Sequence, residues 1–167
     1  VNTLQGFTQE YLARIFHYDP QTGVISRKIP RGRWPVGQVG TVDGKGYLHV
    51  NLDGAFIRLH RLGYFLATGE IPDRIDHWDR DRHNNRLSNL RPCNQKDNTG
   101  NSGIASHNTS GIRGVSRNTS SGKWHAQIKI NGKQTYLGRF DDPVEASWAY
   151  DEAAAKHFGE FAWMNNV

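Results

Sequence analysis

Between Arg74 and Asn101 the chain reads RIDHWDRDRHNNRLSNLRPCNQKDNTGN, and its residue types suit hydrolytic chemistry. Asp76 and His77 are adjacent at the end of a short β-type run, and amide side chains return at Asn89 and Asn98. A carboxylate is a hard oxygen donor for Mg²⁺ or Mn²⁺. An imidazole accepts a proton near neutral pH. Asp76 and Asn98 can therefore hold one divalent ion while leaving positions for phosphate and water, and His77 can take the proton of that water. Neighbouring residues on a strand point to opposite faces, so one side chain can serve the metal and the other the water. An Asp-His pair alone is commonly structural, and Asn-rich stretches are often only turns. His77, His83 and Cys93 match no familiar zinc spacing.

The preceding sequence must position this segment. Gln9 to Phe16 reads as a short helix with Thr8 as N-cap. Asp19 to Gly23 is a turn. Tyr47 to Leu52 alternates polar and apolar, Asp53-Gly54 follows, and Phe56 to Leu59 completes a β-hairpin signal. Leu62 to Thr68 reads as a short buried helix ending at Gly69. His60 and Arg61 lie just ahead of that helix, where packing of His60 is the expectation.

Composition narrows the class. The 167 residues carry 21 Lys and Arg against 16 Asp and Glu, a formal charge of +5. With a pI near 9.5, the chain favours a polyanionic partner. Cys93 is the only cysteine, which rules out an intrachain disulfide or a zinc site built on paired cysteines. The stretch VNTLQGFTQEYLARIF has neither the basic start nor the apolar run of a signal peptide. No segment is apolar enough to span a membrane. A soluble cytoplasmic protein is expected.

Thr99 to Ser110 is built from small and polar residues and reads as a flexible link. The division expected is therefore 1–101, a linker at 102–110, and 111–167. The last part has its own pattern: a strand over Ile112 to Arg117, a turn at Asn118 to Gly122, and a period-two run from Lys123 to Ile130. Asn131-Gly132 makes a tight turn, and Thr135 to Phe140 forms the third strand. A helix capped by Asp142, with Pro143 at its first position, runs to Phe158 and stops at Gly159. Trp124, Ala126, Ile128 and Ile130 share one face; Lys123, His125, Gln127 and Lys129 share the other. The helix presents Ala146, Ala149, Ala153 and Ala154, small enough for close approach to the apolar face. Basic residues crowd Gly111 to Phe140, where there is no acid, whereas acids dominate Asp141 to Glu160. The positive, polar sheet face suits phosphates and base edges in a major groove.

The Arg74 to Asn101 segment resembles the HNH motif of homing-type endonucleases, with likeness reaching back to about Tyr47. The resemblance implies a ββα-metal nuclease domain in an α+β protein. It also implies Asp76 and Asn98 as metal ligands and His77 as general base. Asn89 takes the place of the middle Asn that orients the histidine, and Asn85-Arg86 matches a pair that shapes the loop and contacts phosphate. Asn84 stands where the family usually has Asp. Gly111-Ile112-Arg113-Gly114-Val115, Lys123 to Ile128, Tyr136 to Phe140, Ala149-Tyr150-Asp151 and Asn165 resemble an APETALA2/ethylene-response-factor DNA-binding domain. That family reads DNA with a three-stranded antiparallel sheet packed on one helix. Matching positions make Arg113, Gln127, Lys129, Gln134 and Tyr136 the expected DNA contacts, with Arg117, Lys123 and Arg139 flanking them on phosphates. Ser116 departs from the arginine frequent in that family.

The combined expectation is a metal-dependent endonuclease acting on double-stranded DNA, homing-type and phage-associated, targeted by its C-terminal module. A DNA-binding regulator with an inactive nuclease domain is the alternative, and a binder of structured RNA a third. One site nicks one strand; a double-strand break requires a second site, rearrangement or a dimer.

Overall fold

A computed structural model describes residues 2–94 and 100–167. Asn98 and the helix expected to carry it lie outside the described residues. The contacts divide the chain into two units, Val1–Cys93 and Asn94–Val167. Both mix helices with small antiparallel sheets.

The first unit opens with a two-stranded pair, β1 (Thr3–Leu4) and β2 (Phe7–Thr8), followed by α1 (Gln9–Ile15). Thr8 caps α1 as its side chain accepts from the Tyr11 N–H. β3 (Phe16–Tyr18), β4 (Ile25–Arg27) and β5 (Gly37–Gln38) form one sheet; β6 (Thr41–Val42), β7 (Leu48–Leu52) and β8 (Ala55–Arg58) form another. Asp53 and Gly54 between β7 and β8 both have positive φ, 50° and 83°, as a two-residue hairpin turn requires. Then come α2 (Leu59–Thr68) and the pair β9 (Arg74–His77) and β10 (Leu90–Cys93), with a 3₁₀ turn at Leu87–Asn89 just before β10.

The expected helix start at Leu62 is too late. α2 begins at Leu59, directly after β8. Arg58 makes no side-chain cap there, so the usual polar start signal is missing. Burial of Leu59, Leu62 and Phe65 holds the helix instead, and Gly69 ends it at φ 73°. These side chains join Leu12, Ile15, Phe16, Ile25, Leu52 and Ile57 in one core.

The second unit is a three-stranded sheet, β11 (Val115–Arg117), β12 (Trp124–Ile130) and β13 (Lys133–Phe140), covered by α3 (Pro143–Phe158). The expected first strand is shorter than Ile112 to Arg117 because the chain turns at Gly114, whose φ is 73°. A side chain there would strike Tyr150 of α3. The third strand is longer than expected, since the Asn131-Gly132 turn lets pairing start at Lys133. The register of β12 and β13 shifts between Ala126 and Gln127, passing over Leu137. This bulge turns Leu137 toward the core while Tyr136 stays 60 % exposed. Ala146 and Ala154 are fully buried, and Ala149 and Ala153 pack beside them, as the small-residue pattern anticipates.

Residues 100–110 do not behave as a free link. Arg113 donates to the Gly100 carbonyl at 2.6 Å, and Trp163 N–H donates to the same carbonyl. Asn108 and Ser110 donate to the Ile112 and Val115 carbonyls, folding the segment onto the start of the sheet. Side-chain caps of this kind satisfy backbone groups locally even where composition suggests a linker.

Candidate active site

β9 and β10 pair antiparallel, with Leu90 opposite His77 and Arg91 opposite Asp76. Directly opposed residues share a face. Arg91 accordingly donates Nε and Nη2 to one Asp76 oxygen, Oδ2, at 3.1 and 2.9 Å. Asp76 is 8 % exposed, so the guanidinium offsets the cost of holding a carboxylate out of water.

His77 is 4 % exposed. Its Nε2 lies 3.2 Å from Asn85 Oδ1. An amide oxygen only accepts, so this contact is favourable when Nε2 carries the proton, and Nδ1 is then the basic atom. The ring sits among other rings: His60 meets it edge-on at 5.2 Å between centroids, and Tyr47 lies 6.0 Å away. Burial lowers the His77 pKa below the usual 6.5, partly countered by Asn85. A base held neutral at pH 7 is ready to accept a proton. His60 is buried too, as expected, and desolvation with help from His77 pushes its pKa down to about 3.

Asn85 is held from the far side. Tyr18 Oη donates to the Asn85 carbonyl at 2.8 Å, and burial raises that phenol's pKa to about 12. Leu87 N–H donates to the Pro20 carbonyl at 2.9 Å. Gly23 closes the clamp with φ 76°; a Cβ there would come within 2.5 Å of Arg86 N and Asn85 C. Only a glycine allows this backbone approach.

Asn89 does other work. Its amide donates to Asp79 Oδ1 and the Asn84 carbonyl, both at 2.8 Å, while its Oδ1 accepts from Asp79 N–H. Its own carbonyl accepts from Trp78 N–H at 2.9 Å. Burial raises the Asp79 pKa, but hydrogen bonds from Asn84 and Asn89 outweigh it and the net shift is downward. Asn89 thus braces the 78–84 loop, and the side chain against His77 is that of Asn85. Asn84 keeps the loop closed by donating to Asp79 Oδ2, so the departure from Asp costs no loop contact. Arg86 is exposed beside Trp78.

Among the described residues, no group of three or more His, Cys, Asp or Glu converges on one point. Asp76 offers a buried carboxylate, and His77 follows it on the strand; Mg²⁺ keeps several waters and takes one or two such protein oxygens. Among the described helices, none is long and apolar enough to cross a membrane.

In the second unit, pairing assigns faces. His125 pairs with Ser116 and Arg139, Gln127 with Tyr136, and Lys129 with Gln134. Gln127, Lys129, Gln134, Tyr136 and Arg139 thus share the face opposite Ala126 and Ile128, with His125 edge-on to Tyr136 among them. Three expected contacts sit elsewhere. Arg117 pairs with Trp124 on the helix side and lies over its ring. Lys123 forms an ion pair with Asp141 at 2.7 Å. Arg113 binds Gly100 and Ser102 and lies over the Tyr150 and Trp163 rings.

Sequence reading missed Asn85 as the partner of His77, Tyr47 and His60 as its surroundings, and Arg91 on Asp76. The strand pairing was the available signal for Arg91, because it fixes what stands opposite Asp76.

A model of the HNH endonuclease family matches residues 58–99. An uncharacterized HNH endonuclease of Acanthamoeba polyphaga mimivirus is 32% identical over 139 residues, 81% of this chain and 72% of the relative. Protein 3.8 of Escherichia phage T7 is 33% identical over 107 residues, 63% of this chain and 88% of the relative. An AP2-like ethylene-responsive transcription factor from Arabidopsis thaliana is 44% identical over 59 residues, 35% of this chain and 12% of the relative.

Proposed function

The chain belongs to the HNH endonuclease family, and from that premise we propose that it is a divalent-metal-dependent endonuclease of the homing type acting on double-stranded DNA. The observation that carries the reading is the buried His77, whose Nε2 meets the Asn85 amide oxygen at 3.2 Å and which follows the Arg91-held Asp76 in sequence.

Nδ1 of His77 takes the proton of the attacking water. Asn85 keeps the ring in that tautomer, and Asn89 fixes the loop behind it. Asp76 and Asn98 would hold the Mg²⁺ or Mn²⁺ of a ββα-metal site, and the ion would supply polarisation of the phosphate and neutralisation of charge on the leaving oxygen. Arg86 contacts a neighbouring phosphate. The products are a 3′-hydroxyl and a 5′-phosphate.

The nuclease domain extends to about residue 101, and the C-terminal module from Gly111 onward brings the site to its target. Its exposed face, with Gln127, Lys129, Gln134, Tyr136 and Arg139, lies against the major groove. Arg113, Arg117 and Lys123 lie off that face and are proposed as phosphate contacts at its margins. Tethering raises the local concentration of the nuclease at the bound sequence. The viral relatives support action in the cytoplasm of an infected host. One site cuts one strand, and a double-strand break requires a second site, rearrangement or a dimer.

The test separates binding from cutting. In gel-shift and cleavage assays on genomic duplex fragments, His77→Ala retains duplex binding and yields no cut product in Mg²⁺. Cutting by His77→Ala at the wild-type rate contradicts the assignment of the base.

A further inference from the structure

We propose that Trp78 is a platform on which a nucleobase of the DNA strand being cut stacks, next to the scissile phosphate. The inference rests on the nuclease reading above. The fold treats three consecutive residues in opposite ways: Asp76 and His77 are 8 % and 4 % exposed, and Trp78 is 58 % exposed. An indole carries a large apolar surface, so leaving it in water beside a buried reactive pair forgoes burial that a core position would gain.

The ring is nevertheless positioned. Trp78 N–H donates to the Asn89 carbonyl at 2.9 Å, which fixes its backbone to the braced loop. The Arg91 guanidinium lies 4.6 Å from the ring centroid and donates to Asp76 Oδ2. One arginine therefore backs the indole and holds the candidate metal ligand, which sets the ring at a defined place relative to the chemistry.

The surroundings favour a nucleic acid as occupant. Trp78 borders an open cleft of about 410 Å³ shared with Asn84, Arg86, Ser88 and Asn89. Apart from the indole, that lining is amide, hydroxyl and guanidinium. These groups match phosphate and sugar oxygens. The single π-face matches a base, and a cation flanking an aromatic platform is the arrangement by which single strands are held without reading their sequence. The stacked base must leave its own stack, so the platform favours a step that is unpaired or distorted at the cut.

The test uses the full chain with His77→Ala as background, so that no probe is cut. Oligodeoxythymidine is compared with an abasic oligonucleotide of equal length and charge. Loss of one stacked base weakens binding on the order of tenfold. Trp78→Ala is expected to lose about that factor on oligodeoxythymidine and nothing on the abasic probe. Trp78→Phe is expected to keep most of the affinity, and oligodeoxythymidine quenches more indole fluorescence in the parent than in Trp78→Phe. Equal losses on both probes, equal affinity of Trp78→Ala and parent, or no binding of oligodeoxythymidine by the parent each overturn the platform. The nuclease reading fails separately: if wild-type protein cuts no DNA while the base-dependent loss persists, the platform stands and the hydrolytic assignment falls.

Discussion

The imidazole of His77 and the side-chain amide of Asn85 meet at 3.2 Å inside the first unit. Asn85 is 2 % exposed, and its carbonyl is held by Tyr18 of β3. The tautomer of the candidate base therefore depends on a residue of the loop between the two strands, and that loop depends on the close approach of Gly23.

Asn85→Ala removes the acceptor for Nε2–H and with it the contact that favours this tautomer. Loss of an orienting partner of this kind costs about 10- to 100-fold in activity. The expected result is a fall of that size in kcat with KM for DNA nearly unchanged, read from steady-state cutting of one substrate. An equal fall in duplex affinity would instead point to collapse of the loop.

His60 gives the fold a pH dependence. Desolvation, with His77, Arg58 and Arg61 adding and Asp43 opposing, takes its pKa from 6.5 to about 3. The unfolded chain therefore binds this proton first as pH falls. The stability that neutral His60 retains is complete above pH 6.5 and is lost progressively from 6.5 toward about 3. The slope from one such group is at most about 1.4 kcal/mol per pH unit. Urea midpoints of wild type should fall between pH 7 and 5, and His60→Phe should flatten that fall. Parallel slopes would remove His60 from the account.

The sheet face and its margins should separate in salt. Lys129 and Arg139 lie on the exposed face, and each phosphate contact contributes about one unit to the slope of log affinity against log salt. Their joint replacement by Ala is expected to lower that slope by about 2. Arg113 holds Gly100 and Ser102 and covers two rings. Arg113→Ala is expected to lower the melting temperature as well as affinity. Titration of duplex binding at several salt concentrations, beside thermal melts, checks both.

Much of this architecture was legible because local rules agreed. Thr8, Gly69, Asp53-Gly54, Asn131-Gly132 and Asp142 mark their boundaries by side-chain capping or positive φ, which depend on residue type alone. The polar face of β12 followed from period two. What escaped depends on pairing across the chain. The start of α2 is set by burial of Leu59, with no cap to announce it. Arg91 reaches Asp76 because the strands pair in one register. Arg117 lies on the helix side because β11 pairs it with Trp124, and nothing in its neighbours' types reveals that. Asn85 and Asn89 are both amides in one short loop, and only the path of the backbone decides which meets the imidazole.

Cleavage of supercoiled plasmid by wild type and His77→Ala, in Mg²⁺ and in EDTA, tests the central claim most directly. The account predicts relaxed or linear product from wild type with Mg²⁺, none with EDTA, and a loss of several orders of magnitude in His77→Ala. Product that survives both EDTA and loss of His77 would contradict it.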